Sequence, residues 1–270
     1  MNNILEVAKQ AAIRGGDIIQ AGAKSKNTLN IEQKSLHDYV SEVDRNSERA
    51  VIDTILAEFP DHQIVGEEYG RHAGSSNISW IVDPLDGTTN FLRGIPHYAV
   101  SIGVMIDGVL EHGVVYDPCK KEMFTASLGK GVSLNDELIR VSDLESVRGG
   151  LYATGIPFSS GNLDNIEYFT DTLVGILQRQ TSGVRRLGSA ALDLAYVAAG
   201  RYDGYWEANL QIWDIAAGAL LVTEAGGLVS DLHGRQQQFE TGNILAAGAA
   251  VHADLLQITS ECYSPAGIES

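Results

Sequence analysis

At 270 residues the chain has room for one large domain or two closely packed halves, and a composition 44% hydrophobic and 20% charged excludes a disordered protein. Acidic residues outnumber basic ones 35 to 19, a formal net charge of −16 that repels nucleic-acid phosphates and anionic membranes. The same field repels a phosphorylated metabolite, so a phosphate site here needs bound cations to reverse the local sign.

The first expected element is an amphipathic helix over residues 4–22, with Ile4, Ala8, Ala11, Ala12, Gly15 and Ile19 at helical spacing. No basic run precedes Glu6, so no signal peptide is expected. A second helix is expected over 44–58, where Val51, Ile55 and Phe59 share a face, Pro60 stops it and Asp44 has the form of an N-cap. Then the periodicity changes. Residues 78–83, 97–106, 109–116 and 122–126 read as strands, the middle two joined by Asp107-Gly108 as a hairpin. A strand over 150–154 and a helix over 162–178 follow. Residues 189–199 read as a short buried helix and 202–207 as a strand. Residues 213–225 are apolar nearly all round, the mark of a buried helix, with Gly226-Gly227 to close it. A strand near 243–248 and a helix near 250–260 complete the pattern.

Helices, then strands, then alternation predict a layered α/β architecture, with halves 1–145 and 146–270 forming one compact unit. The longest apolar stretch, 215–222, is too short to span a bilayer. Cys119 and Cys262 lie far apart without Cys-x-x-Cys spacing, as expected of reduced thiols in a cytoplasmic protein.

Residues 80–91, Trp-Ile-Val-Asp-Pro-Leu-Asp-Gly-Thr-Thr-Asn-Phe, carry the densest chemistry. The apolar run is expected to end as a buried strand, with Asp83 and Asp86 held around a turn. Oxygen ligands on a tight turn suit a hard divalent cation. Gly87 and the two threonines behind them leave backbone N–H groups free to face an anion. An isolated Asp-x-x-Asp-Gly is also an ordinary turn. Leu85 stands where an EF-hand would need an oxygen side chain, though its carbonyl remains available. Other carboxylates must decide. Gly66-Glu67-Glu68 follows the short apolar run Gln63-Ile64-Val65, where an acid pair is usually solvated loop. Asp214 opens an apolar helix, either as an N-cap worth about 1 kcal/mol or as a buried carboxylate in need of a partner.

Taken together, Gly66-Glu67-Glu68, the run from Asp83 to Phe91, and Trp213-Asp214-Ile215-Ala216-Ala217-Gly218 resemble, in order and spacing, the signatures of the inositol monophosphatase family. The stretch 185–200, Arg-Arg-Leu-Gly-Ser-Ala-Ala-Leu-Asp-Leu-Ala-Tyr-Val-Ala-Ala-Gly, is similar to its bacterial, extragenic-suppressor-type branch. The resemblance covers almost the whole chain. It implies a layered αβαβα sandwich of the inositol monophosphatase and fructose-1,6-bisphosphatase type.

The resemblance also implies roles. Glu67, Asp83 and the Leu85 carbonyl would hold one Mg²⁺; Asp83, Asp86 and Asp214 a second; and a weaker third would sit near Glu67. The N–H groups of Gly87 and Thr88 would receive phosphate, with Asp86 and Asp214 bordering the substrate. Asp44 matches the acid that pairs with Thr88, and these two with Glu67 form the implied catalytic set. Glu207 and the Ala190 backbone would meet substrate hydroxyls. The family's substrate-side serine has no unambiguous counterpart, because residues 154–158, Thr-Gly-Ile-Pro-Phe, replace that region.

Other chemistries fail on their motifs. There is no Gly-x-Ser-x-Gly elbow, Walker A sequence or His-Glu-x-x-His. Ser127-Leu128-Gly129-Lys130 fits Ser-x-x-Lys without a Lys-Thr-Gly partner, at an expected hairpin end. The expectation is a lithium-sensitive, Mg²⁺-dependent phosphatase of a phosphorylated polyol, myo-inositol monophosphate first and fructose 1,6-bisphosphate or other sugar phosphates as alternatives. The family suggests a homodimer. A regulatory role beside RNA polymerase, which the bacterial branch includes, would need a protein partner, since the acidity opposes direct nucleic-acid binding.

Overall fold

The computed structural model describes residues 4–25, 31–33, 39–157 and 166–262, the side chains of 31–33 and 39–41 excepted. The amphipathic start forms α1 (Ile4–Lys24), burying Ala8, Ala11, Ala12 and Ile19. A short pair, β1 (Ile31–Gln33) and β2 (Tyr39–Ser41), leads into α2 (Glu42–Glu58). The buried face of α2 carries Val51 and Ile55, but also Asp44, Ser47 and Glu48. Then follow β3 (Gln63–Gly66), β4 (Arg71–His72), β5 (Ile78–Asp86), the six-residue α3 (Thr88–Arg93), β6 (Ala99–Ile106), β7 (Val109–Asp117), β8 (Glu122–Ser127), β9 (Gly131–Leu134) and β10 (Glu137–Leu138). Asp107 and Gly108, with φ of 52° and 78°, make the expected tight turn between β6 and β7.

The remaining elements alternate: β11 (Leu151–Thr154), α4 (Ile166–Leu177), β12 (Gly183–Arg185), α5 (Ala190–Ala198), β13 (Gly204–Glu207), α6 (Ile212–Glu224), β14 (Leu228–Ser230), α7 (Gln238–Thr241), β15 (Ile244–Ala247) and α8 (Ala249–Cys262). Among the described residues, one sheet has eight strands in the order β10-β9-β8-β7-β6-β5-β3-β4, and another has five in the order β12-β11-β13-β15-β14.

Five layers result. Helices α1 and α2 cover one face of the larger sheet, and α5 and α6 lie between the two sheets. Helices α4 and α8 pack together, with α8 against the far face of the smaller sheet. This is the αβαβα sandwich. Each interior follows from the pattern of its helices: α5 and α6 are apolar all round because both faces meet a sheet, whereas α1 is apolar on one stripe and covers a single face.

The structure departs from the sequence expectations at several points. Strand β5 does not stop at Asp83 but runs to Asp86, with a register shift between the two. Asp83 opposes Ser101 and Asp86 opposes Ala99, so three steps on β5 face two on β6, a bulge that accommodates Pro84. Helix α2 begins at Glu42, and Asp44 lies inside its first turn rather than capping it. Helix α6 begins at Ile212 with Gln211 as N-cap, so Asp214 is not the cap either. Of the expected helix over 162–178, residues 162–165 lie outside the described residues, as does Phe158. The short elements β1, β2, β4, β9, β10, α3, β12, β14 and α7 were not expected.

Candidate active site

Strand β5 delivers the first two acids. Its apolar run, Trp80 to Val82, is fully buried and anchors the bulge that follows. Asp83 is 1% exposed, and its Oδ1 accepts the Leu85 N–H at 2.9 Å, which shapes the bulge. Asp86, the next acid outward, accepts the Ser189 hydroxyl at 2.6 Å and the Ala191 N–H at 2.7 Å through Oδ2. Ser189 is the N-cap of α5, so the helix start holds Asp86 in place. Gly87 then turns the chain with φ of 96° and opens α3.

The third acid arrives from the far end of the chain. Asp214 Oδ2 accepts the Gln211 N–H at 2.7 Å, closing the first turn of α6 from inside. The Ser101 hydroxyl donates to the Trp213 carbonyl at 3.2 Å and ties that turn to β6. Carboxylate oxygens of Asp83, Asp86 and Asp214 thereby lie within 4.8 Å of one another. Glu67 lies outside that distance set, in the connection after β3, but it is the strongest charge acting on both Asp83 and Asp44.

Burial and mutual repulsion dominate the electrostatics of this cluster. Burial raises the Asp83 carboxyl well above its ordinary range, and the charges of Glu67, Asp86, Asp214 and Asp44 raise it further. Asp214 is pushed up to about 8 by burial and then by Asp86. Asp86 rises to about 6 through burial, held back by Ser189, by the N–H groups of Ala191 and Ala190, and by Arg186. Carboxylates crowded so closely favour protonation unless cations join them. An all-oxygen donor set suits Mg²⁺, Ca²⁺ or Mn²⁺ over softer ions. The residues present therefore fit divalent metal.

Beside the cluster, the Thr88 hydroxyl lies 3.0 Å from the Leu85 carbonyl and 3.3 Å from Asp44 Oδ2, and its one proton serves one of them at a time. Asp44 is 1% exposed, its carboxyl raised by burial and then by Glu67. On the other side, Glu207 Oε2 accepts the Tyr205 hydroxyl at 2.5 Å. Burial pushes Glu207 up to about 7, against the Tyr205 hydrogen bond and the Arg186 charge. Gly155 abuts its carboxylate so closely that a Cβ there would overlap it. Ala190, the first residue of α5, is nearly buried beside Ser189.

All the expected site residues thus gather in one region, Glu67 at its edge. Several participants were missed. Ser189, the donor to Asp86, was visible in sequence as a helix cap. Asp193, 2% exposed with Oδ1 lacking a hydrogen-bond partner, carries a carboxyl raised by burial and then by Glu207 and Asp86; its signal was an acid inside an otherwise apolar helix. Glu48, fully buried, was hidden on a face judged by its apolar residues alone.

Known proteins resemble this chain along nearly its whole length. A family model described as "Inositol monophosphatase family" matches residues 1–264. The Nus factor SuhB of Pseudomonas aeruginosa is 46% identical over 262 residues, 95% of each chain. The crystal structure of the extragenic suppressor protein SuhB from Bartonella henselae superposes with a TM-score of 0.92 at 40% identity, over 96% of this chain and 99% of that one. The inositol monophosphatase structure from Anabaena gives 0.84 at 35% identity, over 96% of each.

Proposed function

The chain belongs to the inositol monophosphatase family, and from that premise we propose that it is a Mg²⁺-dependent phosphomonoesterase whose first substrate class is myo-inositol monophosphate. The observation that carries the reading is the convergence of Asp83, Asp86 and Asp214, pushed toward protonation by one another and by burial. Glu67, Asp83, the Leu85 carbonyl, Asp86 and Asp214 would hold the metal. Bound Mg²⁺ supplies charge neutralisation at phosphate and water acidic enough to act as nucleophile near neutral pH.

The chain's own groups do the rest. Backbone N–H groups of Gly87 and Thr88 orient the phosphate. Thr88 relays the proton of the attacking water toward Asp44, which its hydroxyl already reaches. Glu207, the Ala190 backbone and the substrate-side oxygens of Asp86 and Asp214 fix the polyol, with Tyr205 and Gly155 locking the Glu207 rotamer. No nucleophilic side chain is needed, so no phosphoenzyme forms. The protein works as a cytoplasmic homodimer in this reading; among the described residues, no helix is long and apolar enough to cross a membrane.

A second reading draws on the relatives named Nus factor: a regulatory role through a protein partner such as RNA polymerase. One panel addresses both. Phosphate release from inositol 1-phosphate, fructose 1,6-bisphosphate and nucleoside phosphates is measured with Mg²⁺ and with excess EDTA. Chelator-sensitive release with inositol 1-phosphate ranked first is expected. Full activity in EDTA sinks the metal reading, and no release from any substrate leaves the regulatory one.

A further inference from the structure

The buried face of α2 presents three polar residues within two turns, each holding a different segment of the site. Asp44 meets Thr88, the Ser47 hydroxyl donates to the Pro84 carbonyl at 3.0 Å, and Glu48 reaches the segment that carries Glu67. Glu48 has no exposed surface. Its Oε2 accepts the Glu68 N–H at 2.7 Å and its Oε1 accepts the Tyr69 N–H at 3.1 Å. Burying a carboxylate costs several kcal/mol unless such charge-assisted bonds compensate. A glutamine would set its NH₂ against one of these N–H groups and an apolar residue would leave both unpaired, so the acid is matched to the turn it faces.

Strand β3 ends at Gly66, whose N–H donates to the Gly70 carbonyl at 2.9 Å, and β4 beyond is only two residues long at the sheet edge. The segment bearing Glu67 therefore has little sheet pairing to fix it. Glu48 anchors the two residues after Glu67. Gly66 packs against the same carboxylate, where a Cβ would overlap Oε1.

We propose that Glu48 is a positioning residue for divalent-metal binding: it fixes the 66–70 turn so that the Glu67 carboxylate stands beside Asp83, Asp86 and Asp214. The proposal rests on the reading of Glu67 as a metal ligand. Glu48 is not one of the three clustered acids, and its two oxygens accept backbone N–H groups. It acts through the backbone, as partners outside a metal's own ligands do when their loss lowers affinity about 10- to 100-fold.

Glu48→Gln tests it, since one amide oxygen keeps one N–H bond while the NH₂ faces the other. The Mg²⁺ concentration for half-maximal activity, and for half of the Mg²⁺-induced rise in melting temperature, should both increase about tenfold. At saturating Mg²⁺, kcat and the substrate KM should return close to wild type. Gly66→Ala, which leaves Glu48 in the chain but displaces it, should shift the same Mg²⁺ midpoints. A merely structural Glu48 would lower the melting temperature in EDTA while leaving both midpoints unchanged, and that result in either variant overturns the proposal. If the wild-type protein shows no Mg²⁺-induced shift at all, the metal reading falls and this inference falls with it. A wild-type shift matched by Glu48→Gln leaves the metal reading standing and removes Glu48 alone.

Discussion

Replacing Asp214 by asparagine should make the metal-free protein more stable while destroying its activity. The Asp214 carboxyl sits at about 8 in the folded chain against an ordinary 3.8, raised by burial and then by Asp86. A raised carboxyl contributes stability that is present below the unfolded pKa and lost as pH climbs through the folded one. At pH 7 the folded state keeps a proton that the unfolded chain has released, a difference of about 3.2 units, or about 4 kcal/mol. Asparagine has no proton to lose, and its Oδ1 can still accept the Gln211 N–H that Asp214 accepts at 2.7 Å. Asp83 shares part of the load through its hydrogen bond to Asp214, so a gain of about 2 kcal/mol, roughly 4–8 °C in Tm, is the expected size. The gain should shrink toward nothing near pH 4, where both states hold the proton. The assay is thermal melting in EDTA at pH 4.5, 6 and 7.5, beside melting and kcat in saturating Mg²⁺. There, wild type should gain stability, Asp214→Asn should gain little, and kcat should fall by about 10² to 10⁴-fold. A variant that melts at or below wild type at pH 7.5 in EDTA, or that retains kcat, refutes the reasoning.

Lithium, titrated in the millimolar range against a sodium control, should inhibit phosphate release, as the family resemblance implies for an intact Asp83, Asp86 and Asp214 set; superimposable curves count against the assignment. Glu207→Gln should reorder the preference among inositol and sugar phosphates while keeping Mg²⁺ dependence, because Glu207 borders the three-acid cluster without belonging to it and is held by Tyr205 and Gly155; a uniform loss on every substrate would make it structural. Ser189→Ala removes the 2.6 Å donor that restrains Asp86 and the cap of α5, costing about 1 kcal/mol of stability. With that donor gone Asp86 rises further above 6, so the Mg²⁺ midpoint should worsen more at pH 6 than at pH 8; an equal shift at both would separate Ser189 from Asp86.

The sequence made the long elements readable because burial imposed a period on them. Helix α1 has one stripe against one sheet, and α6, wedged between two sheets, has an apolar surface all round. Where pairing alone defines an element, no period exists: β4 and β10 are two residues each, and β12 and β14 three. The same limit explains the misplaced caps. Asp44 and Asp214 are polar residues at the head of apolar patterns, the form an N-cap takes. In the structure each is the third residue of its helix, inside the first turn: Asp44 meets Thr88, and Asp214 accepts the N–H of the true cap, Gln211, while lying among the clustered acids. The continuation of β5 through Pro84 was equally opaque, since proline argues against a strand unless a bulge frees it from the ladder.

The missed residues follow a common rule. Glu48, Ser189 and Asp193 are buried polar residues on or at the head of helices whose buried faces are otherwise read by their apolar residues, and in one sequence such a residue carries no address. Its meaning comes from what lies opposite: two N–H groups for Glu48, Asp86 for Ser189, Glu207 and Asp86 for Asp193. The clustered acids escaped that obscurity only because three segments of the chain matched motifs in register. The physical difference is one of charge. A cluster that holds Asp214 near 8 and Asp83 above its ordinary range works against the apo fold at neutral pH, and a chain that keeps such a cluster needs donors around it to hold the acids in place. Ser47, Glu48, Ser101 and Ser189 are those donors and anchors, drawn from α2, β6 and the start of α5. The site is therefore legible twice: once in its ligands, by motif, and once in the buried polar residues that would otherwise have no reason to be there.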